Sequence, residues 1–234
     1  EGELWTYDRV NHSITQIFSF RGLEGINKKE NWNQHDIHII KMDEAGSVDF
    51  VVLGYMNRGH HEGEVGIGVY HYDGISHSVE EQIFISSTKS YDALKVEVGD
   101  LFYVNEQKIL HIVMNDTRYE IDLNTHTVKA VLEHLEEFEY AVSESGRYIA
   151  WIDCEEGEHS ESIFLEDLKT GIVHEVKGEV GTYLRPLAFL GEDFIYGIAK
   201  KEDVKTDIFG TSVFPMNALK IMDTYESKKE IIKT

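Results

Sequence analysis

The sequence has 234 residues, of which 41% are hydrophobic and 11% aromatic, and this is typical of a folded chain long enough to bury a core. Its 22 Lys and Arg against 43 Asp and Glu give a net charge of −21, which argues against nucleic acids and anionic membranes as partners. The single cysteine, Cys154, excludes an internal disulfide and a Cys-rich zinc site, and no apolar run is long enough for a transmembrane helix.

The chain begins with short strand-like segments separated by polar turns. Residues 4–20 read as a two-stranded hairpin, which we interpret as the outer half of an incomplete first blade, over residues 1–20. The polar stretch that follows, residues 21–34, holds two glycines and Trp32 and predicts a long loop.

Residues 35–86 predict a complete four-stranded sheet. Its first two strands are His35–Met42 and Val48–Tyr55, and they contain the almost continuously apolar stretches IHII and FVVLGY, as expected for strands buried on both faces. A loop over residues 56–66 then leads to an outer hairpin over residues 67–85.

Three further units of similar length follow. They cover residues 91–134, 139–178 and 184–234. The last unit contains a long insertion, residues 200–217, between its second and third strands.

One feature recurs in all five units: an aromatic or β-branched strand ends in an aspartate, and a polar turn and a second strand follow. These residues are Asp8, Asp73, Asp122, Asp167 and Asp223. An aspartate before a turn can accept hydrogen bonds from backbone N–H groups two residues on, so we interpret the five acids as turn-forming rather than catalytic. A period of roughly 40–50 residues with four strands per unit indicates propeller blades.

The best-formed unit resembles the blade repeat of TolB-like and WD-repeat-like β-propellers. Two segments carry the resemblance, Ser143–Trp151 (SESGRYIAW) and Ile163–Gly171 (IFLEDLKTG). It implies an all-β fold, a β-propeller or propeller arc of four-stranded antiparallel blades, with about four complete blades and one half blade in a single domain over residues 1–234. It implies no particular activity, because many unrelated functions share the propeller.

The start of the sequence suggests a piece of a longer protein. The first residues, EGELW, lack a Met and fall in the second half of a repeat. We therefore expect the first strands of the first blade, and further blades, a domain or a membrane anchor, to lie upstream.

Long loops on a rigid scaffold usually carry function, and in a propeller the loops between second and third strands share one face with the blade connections. This predicted long-loop face is rich in His, Glu and loop aromatics, which could anchor a protein or stack on a sugar. The candidate binding residues are Trp32, His60, His61, Glu62, Glu158, His159 and Phe209, with Phe214 as a further loop aromatic. The spacing of the histidines is not a metal-ligand signature, so no metal or other cofactor is expected.

No catalytic residue is predicted. The sequence contains neither a G-x-S-x-G nucleophile motif in strand–turn–helix context nor a glycine-rich phosphate loop. Cys154 lies between Asp153 and Glu155, whose negative charges disfavour a thiolate nucleophile.

Three functions remain open. The first is a non-catalytic binding or scaffold module of a bacterial surface or periplasmic protein, which recognises a protein or a glycan through the long-loop face. The second is a glycan hydrolase with carboxylates at the propeller centre, and the third is a structural accessory domain of a larger enzyme or sensor. Two or three carboxylates in a central funnel would favour the hydrolase, whereas prominent rim loops would favour the binding module.

Overall fold

The computed structural model describes residues 3–19, 34–57, 59–136, 138–153, 159–206, 212–224 and 230–233. Over these residues the chain consists almost entirely of antiparallel β-strands, with one α-helix. No helix in these ranges is long and apolar enough to cross a membrane.

The first two sheets have the predicted strands. The first is a hairpin of β1 (Glu3–Asp8) and β2 (Ser13–Ser19). The second pairs four strands in chain order, which are β3 (His35–Met42), β4 (Val48–Tyr55), β5 (Val65–Asp73) and β6 (Ser78–Ser87).

A helix that the sequence analysis did not anticipate, α1 (Tyr91–Asp100), comes next. Ser90 caps it, since the Ala93 N–H donates to Ser90 Oγ at 3.4 Å and the Leu94 N–H to the Ser90 carbonyl at 2.9 Å. Leu94 and Val98, four residues apart, are the buried side chains of the helix. The Ser90 cap and the buried Leu94–Val98 pair therefore favour a helix that begins at Tyr91, the residue at which the third unit was predicted to begin.

Three more four-stranded sheets follow. The third contains β7 (Phe102–Val104), β8 (Ile109–Met114), β9 (Thr117–Asp122) and β10 (Thr127–Leu132). The fourth contains β11 (Tyr140–Val142), β12 (Tyr148–Trp151), β13 (Ser162–Asp167) and β14 (Ile172–Lys177).

The fifth sheet has a separate two-stranded hairpin between its second and third strands. In the predicted insertion, β17 (Lys205–Thr206) pairs with β18 (Ser212–Val213). The strands of the sheet itself are β15 (Thr182–Leu190), β16 (Asp193–Lys200), β19 (Ala218–Met222) and β20 (Glu230–Lys233).

The strand order gives the fold class. Each four-stranded sheet is a meander in which strands adjacent in space are also consecutive within the sheet along the chain, and every such pair with a described register is antiparallel. This is the order of a propeller blade. The predicted all-β fold of propeller-type blades, with four complete four-stranded sheets and one half sheet, is confirmed.

The chain divides into two compact units. The first comprises Glu1–Gly99 and Ile121–Val128, and the second Asp100–Glu120 and Lys129–Thr234. The core of the first unit combines aliphatic and aromatic side chains, and in it the centroid of the Phe50 ring lies 5.4 Å from that of Phe18 and 5.5 Å from that of Tyr70.

The predicted burial of the two apolar strands of the second sheet is correct for one of them. In β4, all residues except Asp49 and Tyr55 are buried. In β3 the prediction was wrong, because Ile39 is 60% and Met42 66% exposed. β3 is the first strand of its sheet and pairs with β4 alone, so its second edge has no neighbouring strand within the sheet.

The core of the second unit includes a fully buried cation. Arg118 on β9 has no exposed surface, and it donates from both terminal nitrogens to Glu166 on β13, at 2.6 and 3.2 Å. Glu120 contacts the same guanidinium at 3.4 Å. Burial, with a smaller contribution from the Arg118 charge, lowers the pKa of the neighbouring His111 to about 4. His111 is therefore neutral at pH 7, and its Nε2 accepts from the Asn105 amide at 3.2 Å.

Four of the five repeated aspartates act as the sequence predicted. The carboxylates of Asp8, Asp73, Asp122 and Asp167 accept the N–H two residues on at 2.7, 2.7, 2.8 and 3.0 Å. Backbone hydrogen bonds in these turns lower the pKa of the first three carboxyls, and the largest contributions come from the N–H groups of Asn11, Ser76 and Asn124. For the lowered pKa of Asp167 the Arg147 guanidinium is the main cause. The turn after Asp223 lies outside the described residues.

Candidate functional site

Long loops meet at one end of the sheets in the second unit. The Leu184 N–H donates to the Ser160 carbonyl at 2.8 Å, and the Gly178 N–H to the Glu161 carbonyl at 2.8 Å. The Lys201 N–H donates to the Gly181 carbonyl at 2.9 Å. These bonds tie the β12–β13 loop, the β14–β15 connection and the start of the insertion together, and we call this region the loop end.

An aromatic cluster lies at the loop end. The His159 ring centroid is 5.1 Å from that of Tyr183 and 5.9 Å from that of Phe214. Two cations cover these rings: the Arg185 guanidinium lies 4.5 Å from the Phe214 centroid, and Lys201 Nζ lies 5.0 Å from the Tyr183 centroid. Such pairs are favourable because the face of an aromatic ring carries partial negative charge, which attracts a cation.

Each of the two cations also contacts a second side chain. Arg185 lies 5.1 Å from the Phe138 centroid, so aromatic rings from two loops contact its guanidinium. Lys201 forms an ion pair with Glu161, which raises the pKa of its ammonium group. The loop end is thus ordered by contacts among its own side chains.

Exposed apolar side chains surround the cluster. Val180 is fully exposed in the β14–β15 connection, and Val213 and Met216, on either side of Phe214 and Pro215, are each 55% exposed. The backbone fixes this segment, because the Asn217 N–H donates to the Ile198 carbonyl at 2.8 Å. The Asn217 side chain accepts the Lys200 N–H at 2.7 Å. Hydrogen bonds of Asn217 therefore hold the end of the insertion, and Val213 and Met216 just before it are exposed to solvent.

Of the predicted site residues, His159 belongs to this cluster. Trp32, Glu158 and Phe209 lie outside the described residues. Sequence reasoning missed Tyr183 and Arg185, which alternate within β15, and Lys201, which follows β16. The sequence signal for this cluster was the aromatic and the cationic residue two positions apart in β15, which share one face of the strand.

The predicted histidines of the first unit have a different role. His61 stacks on Phe84 with ring centroids 3.7 Å apart, and its two nitrogens lie 3.3 Å from Glu64 and 3.1 Å from Glu81. Its ring thus holds the β4–β5 loop against β6. His60 and Glu62 are exposed on the same loop. Among the described residues, no three His, Cys, Asp or Glu side chains are grouped to hold a metal ion.

A cleft of about 320 Å³ lies between the first strands of the fourth and fifth sheets. Leu187 lines it, at a bulge where β15 has one more residue than β16. Tyr140 donates to Asp100 at 3.1 Å there, and Asp100 is the one carboxylate among the described lining residues. Canonical glycoside hydrolysis uses two carboxyl groups about 5–10 Å apart.

Comparison with known proteins gives structural similarities alone. No protein-family model matches the chain, and no curated protein matches it in sequence. Similar solved structures include TolB from Acinetobacter baumannii (16% identity, TM-score 0.32, covering 85% of this chain and 46% of TolB). Porphyromonas gingivalis dipeptidyl peptidase 4 is 10% identical with a TM-score of 0.42, and the match covers 86% of this chain and 28% of the peptidase. A luciferin-regenerating enzyme is 13% identical with a TM-score of 0.30, and the match covers 95% of this chain and 71% of the enzyme.

The chain thus spans less than half of TolB and about a quarter of the peptidase. The assignment of propeller-type blades rests on the strand order of the four sheets, and not on these similarities.

Proposed function

We propose that this domain is a non-catalytic binding module that recognises a protein through its loop end. The observation that carries the proposal is the ordered cluster of His159, Tyr183, Arg185 and Phe214 beside exposed Val213 and Met216. Aromatic residues, Met and Arg are the residue types enriched at protein–protein interfaces. Preorganised side chains lose little conformational entropy on association, which favours affinity.

Charge supports a partner with a basic surface. The sequence carries −21, whereas the insertion, residues 200–217, has equal numbers of lysines and acids, so the negative field comes from the rest of the chain. A negative field accelerates the encounter with a positively charged partner and weakens with added salt. We therefore expect association with this partner to slow as ionic strength rises.

We also propose that the domain lies at the cell surface or in the periplasm of a bacterium. The acidic composition supports this location because mutual repulsion keeps an exposed domain soluble. Of the two alternatives, the hydrolase requires two carboxyl groups, and Asp100 is the single carboxylate in the described lining of the cleft between β11 and β15. The accessory domain would bury the loop end against another part of its own protein.

The test compares three variants of equal charge change. Val213→Asp and Met216→Asp place a carboxylate on the loop end, and Ile75→Asp, at an exposed turn of the first unit, is the control. Each protein is used as bait with envelope extract of the source organism, and the captured protein is then purified for affinity measurement. We expect both loop-end variants to bind at least about tenfold more weakly than wild type and the control to bind like wild type. Equal affinities for all four proteins, or no captured partner, would contradict the proposal.

A further inference from the structure

A second cavity, distant in sequence from the loop end, lies in the first unit. It has a volume of about 280 Å³. Its lining residues come from β4, β5, β6 and the β9–β10 turn, and they include Asp49, Val69, His71, Gln82, Leu123 and His126. This volume is at the low end of small-molecule sites and fits a ligand with a single ring.

Regular pairing places a carboxylate beside an imidazole in this cavity. Asp49 on β4 lies directly opposite His71 on β5, so the two side chains share a face of the sheet. His71 Nδ1 lies 2.6 Å from Asp49 Oδ1. An N–H at Nδ1 leaves Nε2 of the neutral ring as a hydrogen-bond acceptor.

A bulge supplies the third polar group. Val69 pairs with Ile83 and Tyr70 with Glu81, so Gln82 is an extra residue in β6. Bulges redirect a side chain, and the Gln82 amide lines the cavity. The structure shows no hydrogen bond from the Gln82 or His126 side chain to any other described residue. Both are available to a ligand.

The fourth group comes from a turn. His126 has a φ of +56°, in the left-handed region, at the tip of the β9–β10 hairpin. Asp122 holds this turn by accepting the Asn124 and Thr125 N–H groups at 2.8 and 3.1 Å. Leu123, in the same turn, and Val69 on β5 add apolar groups to the lining of the cavity.

We propose that this cavity binds a neutral polyhydroxylated ligand of one ring, such as a pyranose unit. A carboxylate, an acceptor nitrogen and an amide together match hydroxyl groups, which both donate and accept. Val69 and Leu123 match the apolar C–H faces of such a ring. The Asp49 carboxylate, in a chain of charge −21, opposes an anionic ligand. The proposal is independent of protein recognition at the loop end.

The test is a titration of ¹⁵N-labelled protein with methyl β-D-glucopyranoside, followed by two-dimensional NMR. Cyclohexanol, which matches the ring size with a single hydroxyl, and ethanolamine, which is cationic, are the comparison probes. We expect the glycoside alone to shift backbone amides, and the shifts to concentrate at Asp49, His71, Gln82 and Leu123. No shift up to tens of millimolar glycoside, or equal shifts with cyclohexanol or ethanolamine, would overturn the proposal.

Two variants and a matched control complete the experiment. His71→Phe keeps a ring but removes both nitrogens, and Gln82→Met removes the amide at similar length. His174→Phe makes the first change on exposed β14 of the second unit. We expect at least about tenfold weaker glycoside binding in the two cavity variants and unchanged binding in the control. Binding that persists in both cavity variants would refute this location even if the glycoside binds elsewhere.

Discussion

Removing the charge of Glu166 should strongly destabilise the second unit, because Arg118 would remain buried without its main counter-ion. The carboxylate accepts two hydrogen bonds from the Arg118 guanidinium, which is fully buried. Breaking a buried ion pair at one side typically costs about 3–5 kcal/mol. Glu120, 3.4 Å from the same guanidinium and partly exposed, offsets part of this cost. We therefore expect Glu166→Gln to lower the free energy of unfolding by about 3 kcal/mol, against a total of about 5–15 kcal/mol for a typical domain.

A second substitution distinguishes an unpaired charge from lost packing. If the buried cation causes the loss, adding Arg118→Met to Glu166→Gln should restore at least half of it, since a buried ion pair can be replaced by apolar groups at little cost. Glu175→Gln, on the exposed neighbouring strand, is the matched control and should change stability by less than about 1 kcal/mol.

Urea unfolding at pH 7 measures these effects, with far-UV circular dichroism for the whole chain. Tryptophan fluorescence becomes a local probe when Trp5 and Trp32 are replaced by Phe in all variants, because the remaining Trp151 ring lies 5.8 Å from the Arg118 guanidinium carbon. A loss below about 1 kcal/mol for Glu166→Gln, or a double variant less stable than the single one, would refute the reasoning.

Two further predictions concern pH and backbone conformation. Because His111 has a pKa of about 4 when folded and about 6.5 when unfolded, the unfolded state binds more protons between these values, and stability falls as pH drops through this range. His111→Gln should reduce that fall by about 3 kcal/mol in urea unfolding at pH 7 and pH 4, and an unchanged pH dependence would contradict the assignment. Gly54→Ala should destabilise by at least about 2 kcal/mol, because φ is +151° and the new Cβ would lie 2.1 Å from the Gln34 carbonyl. At Gly99 in α1 an added Cβ would meet open space, so Gly99→Ala should stabilise the protein by about 0.5–1 kcal/mol. Equal destabilisation by both glycine substitutions would refute the reasoning for Gly54.

Local chemistry explains which parts of the fold could be predicted. The bounds of β3 and β4 match the sequence prediction because polar turns flank two apolar runs. The turn aspartates were predictable because their hydrogen bonds reach only two or three residues along the chain. Each of these features depends on neighbours in sequence and needs no knowledge of tertiary packing.

The helix α1 was not predictable by the same reasoning. Val96 and Val98 flank Glu97, an alternation typical of strands, and Val96 is 70% exposed in the helix. The helix pattern consists only of Leu94 and Val98 after a Ser cap. The side-chain contacts of α1 add to its position, since Tyr91 and Lys95 both contact Asp36 on β3, 55 or more residues away in sequence.

The candidate site was predicted only in part for a related reason. His159, Tyr183 and Phe214 come from three loops or strand starts, and their ring contacts depend on how these segments cross in space. A repeat pattern reports what each blade has in common with the others. The repeat therefore predicts the turns and core residues that the blades share. It does not predict the residues that differ between blades, and the candidate site consists of such residues.

The features assigned to binding lie where the repeat is interrupted. The β17–β18 hairpin is a separate two-stranded sheet between the second and third strands of the fifth sheet, and no other described sheet has such an insertion. Gln82 is an extra residue in β6. A regular blade satisfies its backbone through strand pairing and turn aspartates, so neither feature is needed to complete a sheet. The bond from the Asn217 N–H to Ile198 closes the insertion at its base, where β16 ends and β19 begins. Replacing residues 202–216 by a short turn should therefore preserve the fifth sheet and remove the apolar surface of the loop end, which separates the role of this segment in recognition from any role in stability.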